Sequence, residues 1–123
     1  MATEKPKILI VDDLPANITV LKGLLKDLDV SLVSAQSGNE ALACMLDNDF
    51  SFIVMGVQLP EMDGFEVCNI LKQDERTSHI PIIFLTQKDE RSDRIAGLEL
   101  GADDYITKPF DIEELKLRVR SAI

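Results

Sequence analysis

Three short, almost uninterrupted apolar runs, Lys7–Val11 (KILIV), Phe50–Met55 (FSFIVM) and Pro81–Leu85 (PIIFL), limit the folds open to this chain more than any other feature. Runs of this length with little polar alternation are the form taken by strands covered on both faces of a parallel sheet. Two weaker strand segments accompany them, Val30–Ala35 and Asp104–Thr107 (DYIT).

Segments of helical period separate the runs. Ile18, Leu21, Leu25 and Leu28 recur at helical spacing behind Pro15, which suits a first helical turn. Ser37 and Glu40 stand in the S-x-x-E relation of a capping box, opening a second helix through Ala41, Leu42 and Met45. A third helix is expected over about Phe65–Gln73, a fourth over about Asp89–Leu100 stopped by Gly101, and a fifth after Asp111. Strand and helix alternate throughout, which implies an α/β fold: a parallel sheet with two helices on one face and three on the other, joined by right-handed crossovers. At 123 residues the whole chain, 1–123, fits one domain with one substantial core.

Acidic residues outnumber basic ones 22 to 13, and the net charge of -9 would repel a nucleic-acid backbone. No apolar run approaches the ~20 residues needed to span a bilayer, and the N-terminus lacks a signal-peptide core, so the expected location is the cytoplasm. Cys44 and Cys68 fall inside helical patterns with no metal-binding spacing, and both read as buried thiols without chemistry.

Ligands of open α/β sheets bind beyond the carboxyl ends of the strands, where strand order reverses. The residues at those ends therefore form the candidate site. They are Asp12 and Asp13 after the first strand, Gly56 and Val57 after the third, Thr86 after the fourth, and Lys108 and Pro109 after the fifth. Singly, each has a plain structural explanation: a helix cap for the acids, a loop hydrogen bond for Thr86, a solvated charge for Lys108. Together, an acid pair, a hydroxyl and a lysine on one rim suit a hard divalent cation and a phosphoryl group.

The strings ILIVDD, QLPEMDGFEV, FLT and GADDYITKPF, in this order, resemble the successive motifs of response-regulator receiver domains over essentially the whole chain. The resemblance implies a flavodoxin-like fold, (βα)5 with strand order 2-1-3-4-5, of which a receiver is a known example. It assigns Asp12 and Asp13 to the metal site with the backbone carbonyl of Gln58, Lys108 and Thr86 to the phosphoryl group, and Thr86 and Tyr105 to the conformational switch. It also implies a cis Lys108–Pro109 bond, Mg²⁺ as cofactor, and a histidine kinase or phosphotransfer protein as partner.

One position departs from the pattern. The family's phosphate-accepting aspartate lies four residues before the proline of LPEMDG, and counting back from Pro60 reaches Gly56. Glycine can neither attack phosphorus nor ligate a metal, so phosphate acceptance should be lost, Mg²⁺ binding weakened, and Tyr105 and Thr86 left without phosphoryl coupling. Asp63 belongs to the turn before the third helix and is not a substitute. Two readings remain: an otherwise working receiver whose aspartate has been exchanged, and a natural pseudo-receiver that acts as a protein-interaction or dimerisation module.

For the second reading, the surface of the fourth helix, fifth strand and fifth helix offers Arg94, Glu99, Asp104, Lys116, Arg118 and Arg120 to a second copy or an output domain. An enzyme using Asp12 or Asp13 as nucleophile lacks a separate general acid; His79 precedes the fourth strand, away from the rim. A nucleotide-binding protein would need a glycine-rich cradle that the DDLPAN loop does not contain. The chain is expected not to be an enzyme.

Overall fold

The computed structural model describes residues 5–87, 104–108 and 112–122. Five parallel strands form one sheet in the order β2-β1-β3-β4-β5: β1 Lys7–Val11, β2 Ser31–Ala35, β3 Phe52–Gly56, β4 Ile82–Gln87 and β5 Asp104–Lys108. This is the flavodoxin-like order expected from the sequence. The helices are α1 Pro15–Leu25, extended by a 3-10 turn at Lys26–Leu28, then α2 Gly38–Cys44, α3 Gly64–Gln73 and a C-terminal helix, Ile112–Ala122. The helix expected over 89–100 and the Lys108–Pro109 bond lie outside the described residues.

Strand pleating divides the core in two. Ile8 and Ile10 of β1, Phe52 and Val54 of β3, and Ile83 and Leu85 of β4 face one layer, where they meet Ile18, Leu21 and Leu25 of α1 and Leu115 and Val119 of the C-terminal helix. Leu9, Val11, Ile53, Met55, Ile82 and Phe84 face the other, against Ala41 of α2 and Val67, Cys68 and Leu71 of α3. Both layers need apolar residues on every position of the inner strands, which explains the continuous runs. Each fully buried Leu, Ile or Phe contributes roughly 1.5–3 kcal/mol relative to exposure.

Phe50 is buried but precedes β3, so the apolar run there reports burial and not the strand start. At the other ends β4 and β5 continue into polar residues, with Thr86 paired to Thr107 and Gln87 to Lys108. Cys68 is buried and Cys44 only partly so. Burial, then Glu40 and Asp47, push the Cys44 thiol above its usual range, which suppresses the reactive thiolate.

Ser37 caps α2 by accepting from the Glu40 N–H at 3.1 Å. The return arm of the predicted capping box reaches one residue further back, since Glu40 Oε2 accepts from the Gln36 N–H at 3.2 Å.

Candidate functional site

Asp12 immediately follows β1 and is 2% exposed. A buried carboxylate must be satisfied by donors, and here they come from the start of α1. Asp12 Oδ1 accepts from the Leu14 N–H at 2.9 Å, while the Asn17 amide nitrogen lies 3.2 Å from Oδ1 and 3.3 Å from Oδ2. Leu14, the residue before α1, offers no side-chain cap, so this turn depends on Asp12 and on Pro15. Asp13 is exposed at the same rim.

Gly56 ends β3 beside Asp12. The register pairs Ile8 with Phe52 and ends with Val11 paired to Met55, and Asp12 and Gly56 are the residues that follow this last pair. A Cβ on residue 56 would lie 3.7 Å from Asp12 Oδ2, 3.4 Å from the Val11 carbonyl oxygen and 3.9 Å from Leu59 Cδ2. These are ordinary contacts, and the backbone there has no left-handed φ. The site therefore has room for a first side-chain carbon beside Asp12, and glycine is not required by contacts of that carbon.

Gly64, the first residue of α3, is the opposite case. Its N–H donates to the Val57 carbonyl at 2.7 Å, holding α3 against the end of β3. A Cβ there would collide with the Gly56 carbonyl oxygen and come within 3.1 Å of the Phe84 ring and 3.2 Å of Val57 Cα. Only glycine permits this approach of helix to strand.

Asp63 is accounted for by the same junction. It is the N-cap of α3, its Oδ1 accepting from the Glu66 N–H at 2.9 Å. Loss of this cap in Asp63→Ala should lower stability by about 1 kcal/mol, and Asp63→Asn should retain most of it, as read from urea midpoints at unchanged slope.

The backbone brings Thr86 and Lys108 to the same end of the sheet, on adjacent strands: Gly56 pairs with Leu85, the residue before Thr86, and Lys108 pairs with Gln87. Tyr105 pairs with Phe84, the second pair of the β4–β5 ladder. The side chains of Thr86, Tyr105 and Lys108 lie outside the described residues. Gln58 is exposed in the loop after β3. Among the described residues, no group of three or more His, Cys, Asp or Glu side chains is placed to hold a metal ion.

Asn17 and Gly64 were not among the site residues expected from the sequence. A polar residue in the first turn of a helix opening after an acid pair was the available signal for Asn17. His79 is exposed between α3 and β4, at the amino end of the sheet, as expected. Lys116 differs from expectation: it is mostly covered and reaches Asp27 after α1 at 3.7 Å, so it ties the C-terminal helix to that turn and is not a free charge of the outer face. Arg118 pairs with Glu114 of its own helix at 3.3 Å. No helix of the described residues is long and apolar enough to cross a membrane.

Comparison with known proteins gives a consistent result. The family model of the response regulator receiver domain matches residues 8–120. The chain is 42% identical over 120 residues to the DNA-binding dual master transcriptional regulator RpaA of Synechocystis, covering 96% of this chain and 49% of that protein. It is 44% identical over 115 residues to the response regulator PleD of Caulobacter vibrioides, covering 94% of this chain and 25% of that one. The chain thus spans about half the length of the former and a quarter of the latter. Among solved structures, the chemotaxis response regulator CheY4 of Vibrio cholerae superposes with a TM-score of 0.89 at 28% identity, covering 97% of this chain and 99% of that one.

Proposed function

The chain belongs to the response-regulator receiver domain family, and on that footing we propose that it is a receiver unable to accept phosphate in its present form. Receiver domains generally bind Mg²⁺, work with histidine kinases and output domains, and are not themselves enzymes. The single observation that carries the finer reading is position 56. A buried glycine stands where the first carbon of a side chain would lie 3.7 Å from Asp12 Oδ2, so the rim has space beside Asp12 at the acceptor position and lacks the carboxylate.

In this reading Asp12 and Asp13, with the Gln58 carbonyl, are the metal ligands, and Thr86 and Lys108 contact the phosphoryl oxygens. The donors are all oxygen, which fits a hard cation such as Mg²⁺, and they are one carboxylate short at Gly56. When bound, that cation would supply charge neutralisation for the incoming phosphoryl group. The chain's own residues do the rest: Leu14 and Asn17 orient Asp12, the Gly64 junction fixes the backbone of residue 56, and β4 and β5 present Thr86 and Lys108 alongside. The domain is taken as 1–123, with a cytoplasmic location and a kinase or phosphotransfer partner. Switching by Thr86 and Tyr105, and docking through the C-terminal helix and β5, belong to the same reading.

Treatment of the unmodified protein with acetyl phosphate and Mg²⁺ is the direct test. No acid-stable, base-labile acyl phosphate should form. Incorporation mapped to Asp12 or Asp13 would overturn the reading and make one of those acids a nucleophile.

A further inference from the structure

We propose that Asn17 stands in for the divalent cation at Asp12, and that it thereby sets the metal affinity of the site. This rests on the assignment of Asp12 as a metal ligand. Asp12 is 2% exposed, and a carboxylate so enclosed carries a large desolvation cost unless donors or a cation meet it. The Asn17 amide spans both of its oxygens, at 3.2 and 3.3 Å, while the Leu14 N–H takes Oδ1 at 2.9 Å.

Asn17 therefore donates to both carboxylate oxygens from one neutral side chain. Of the two, Oδ2 is also the oxygen nearest the Cβ position of residue 56, 3.7 Å away, so it faces the side where the missing carboxylate would stand. A cation drawn to that space competes with the amide for Oδ2. Binding then costs the hydrogen bonds that Asn17 makes in the metal-free protein, and the amide and the cation are negatively coupled through Asp12. Asn17 itself touches no reacting atom; it is a positioning residue that keeps the carboxylate in place until a cation replaces it.

The test uses Mn²⁺ as probe, read by paramagnetic broadening of the amide resonances of residues 12 and 13, together with thermal unfolding in EDTA and in Mg²⁺. Asn17→Ala should unfold at a lower temperature in EDTA, yet bind Mn²⁺ about tenfold more tightly, since a hydrogen bond to an ionised carboxylate is worth about that factor. Asn17→Asp should go further. It places a second carboxylate against Asp12, so stability should fall in EDTA and be regained on adding Mg²⁺ by the linkage between binding and unfolding.

A residue that merely packs would lower the unfolding temperature and leave Mn²⁺ affinity unchanged. That result, or weaker Mn²⁺ binding in Asn17→Ala, would overturn the proposal. So would an Asn17→Asp protein whose stability does not respond to Mg²⁺, which keeps the test decisive should Asn17→Ala not fold. Measuring the same variants in a Gly56→Asp background separates this inference from its premise. If Gly56→Asp binds Mn²⁺ and Asn17→Ala leaves that affinity unchanged, Asn17 alone has been misassigned. If neither background binds Mn²⁺ with any Asn17 variant, the metal-site assignment falls and this proposal with it.

Discussion

Gly56→Asp should convert the chain from one that takes no phosphate into one labelled by acetyl phosphate in the presence of Mg²⁺, an all-or-none difference in acyl phosphate. The chemistry requires a carboxylate oxygen to attack phosphorus while the acetate oxygen leaves, carrying the electron pair of the broken P–O bond. The nucleophile must sit beside the cation that screens both. At Gly56 the Cβ has ordinary contacts with Val11, Asp12 and Leu59, and the backbone needs no positive φ, so the first carbon of an aspartate side chain is accommodated there. It would lie next to Asp12, and the repulsion between the two carboxylates is relieved when a cation binds, so Mg²⁺ affinity should rise in the same variant. Mass spectrometry of the intact protein, with loss of the added phosphate in mild base, reads the first effect; a Mg²⁺ titration reads the second. A Gly56→Asp protein that folds and stays unlabelled would favour an interaction module whose site has diverged beyond one residue.

Gly64→Ala should be among the most damaging single-methyl additions in the molecule, with a cost of roughly 1–3 kcal/mol or more. The new Cβ meets the carbonyl of Gly56, which is backbone and cannot rotate away, as well as the Phe84 ring and Val57 Cα. Relief requires α3 to withdraw from β3, breaking the 2.7 Å Gly64–Val57 hydrogen bond. Gly23→Ala supplies the control of opposite sign. Gly23 is exposed inside α1, a Cβ there meets nothing within 4 Å, and alanine should stabilise the helix by about 0.5–1 kcal/mol. Urea denaturation of the two variants should move the midpoints in opposite directions. Equal shifts would mean that the α3–β3 approach is looser than the geometry indicates.

Most of the fold was legible because its signals are local or periodic. KILIV marks β1 from end to end, Pro15 marks the first residue of α1, and the S-x-x-E pair marks the start of α2. Strand ends were less legible for a physical reason. Apolarity records burial, so Phe50 looked like strand while lying in a loop, and the ladder carries Gln87 and Lys108 beyond the last apolar residues. The acid pair and the glycine at 56 could be found from their places at the carboxyl ends of β1 and β3. For the Asn17 contact the sequence offered only a polar residue in a first helical turn, because the contact itself depends on how that turn folds back over Asp12. The closeness of Gly64 to Gly56 could not be found, since MDG announces a turn without saying how near the next helix comes.

The alternation of the strands has a consequence for how this rim can change over evolutionary time. Odd and even residues of β1 and β3 feed different layers, and Asp12 shares its parity with Ile8 and Ile10 just as Gly56 shares that of Phe52 and Val54. Substitution at residue 56 changes chemistry and leaves the strand register alone, and substitution at Asp12 keeps that register while releasing the turn into α1. Insertion or deletion of one residue inside either strand would instead swap its apolar residues between layers and turn the side chain at its end toward the opposite face. The neighbourhood of Asp12 and residue 56 is thus protected by counting: the chain can lose or regain a functional group there by a single codon change, whereas a one-residue slip in the strand would cost the fold as well as the site.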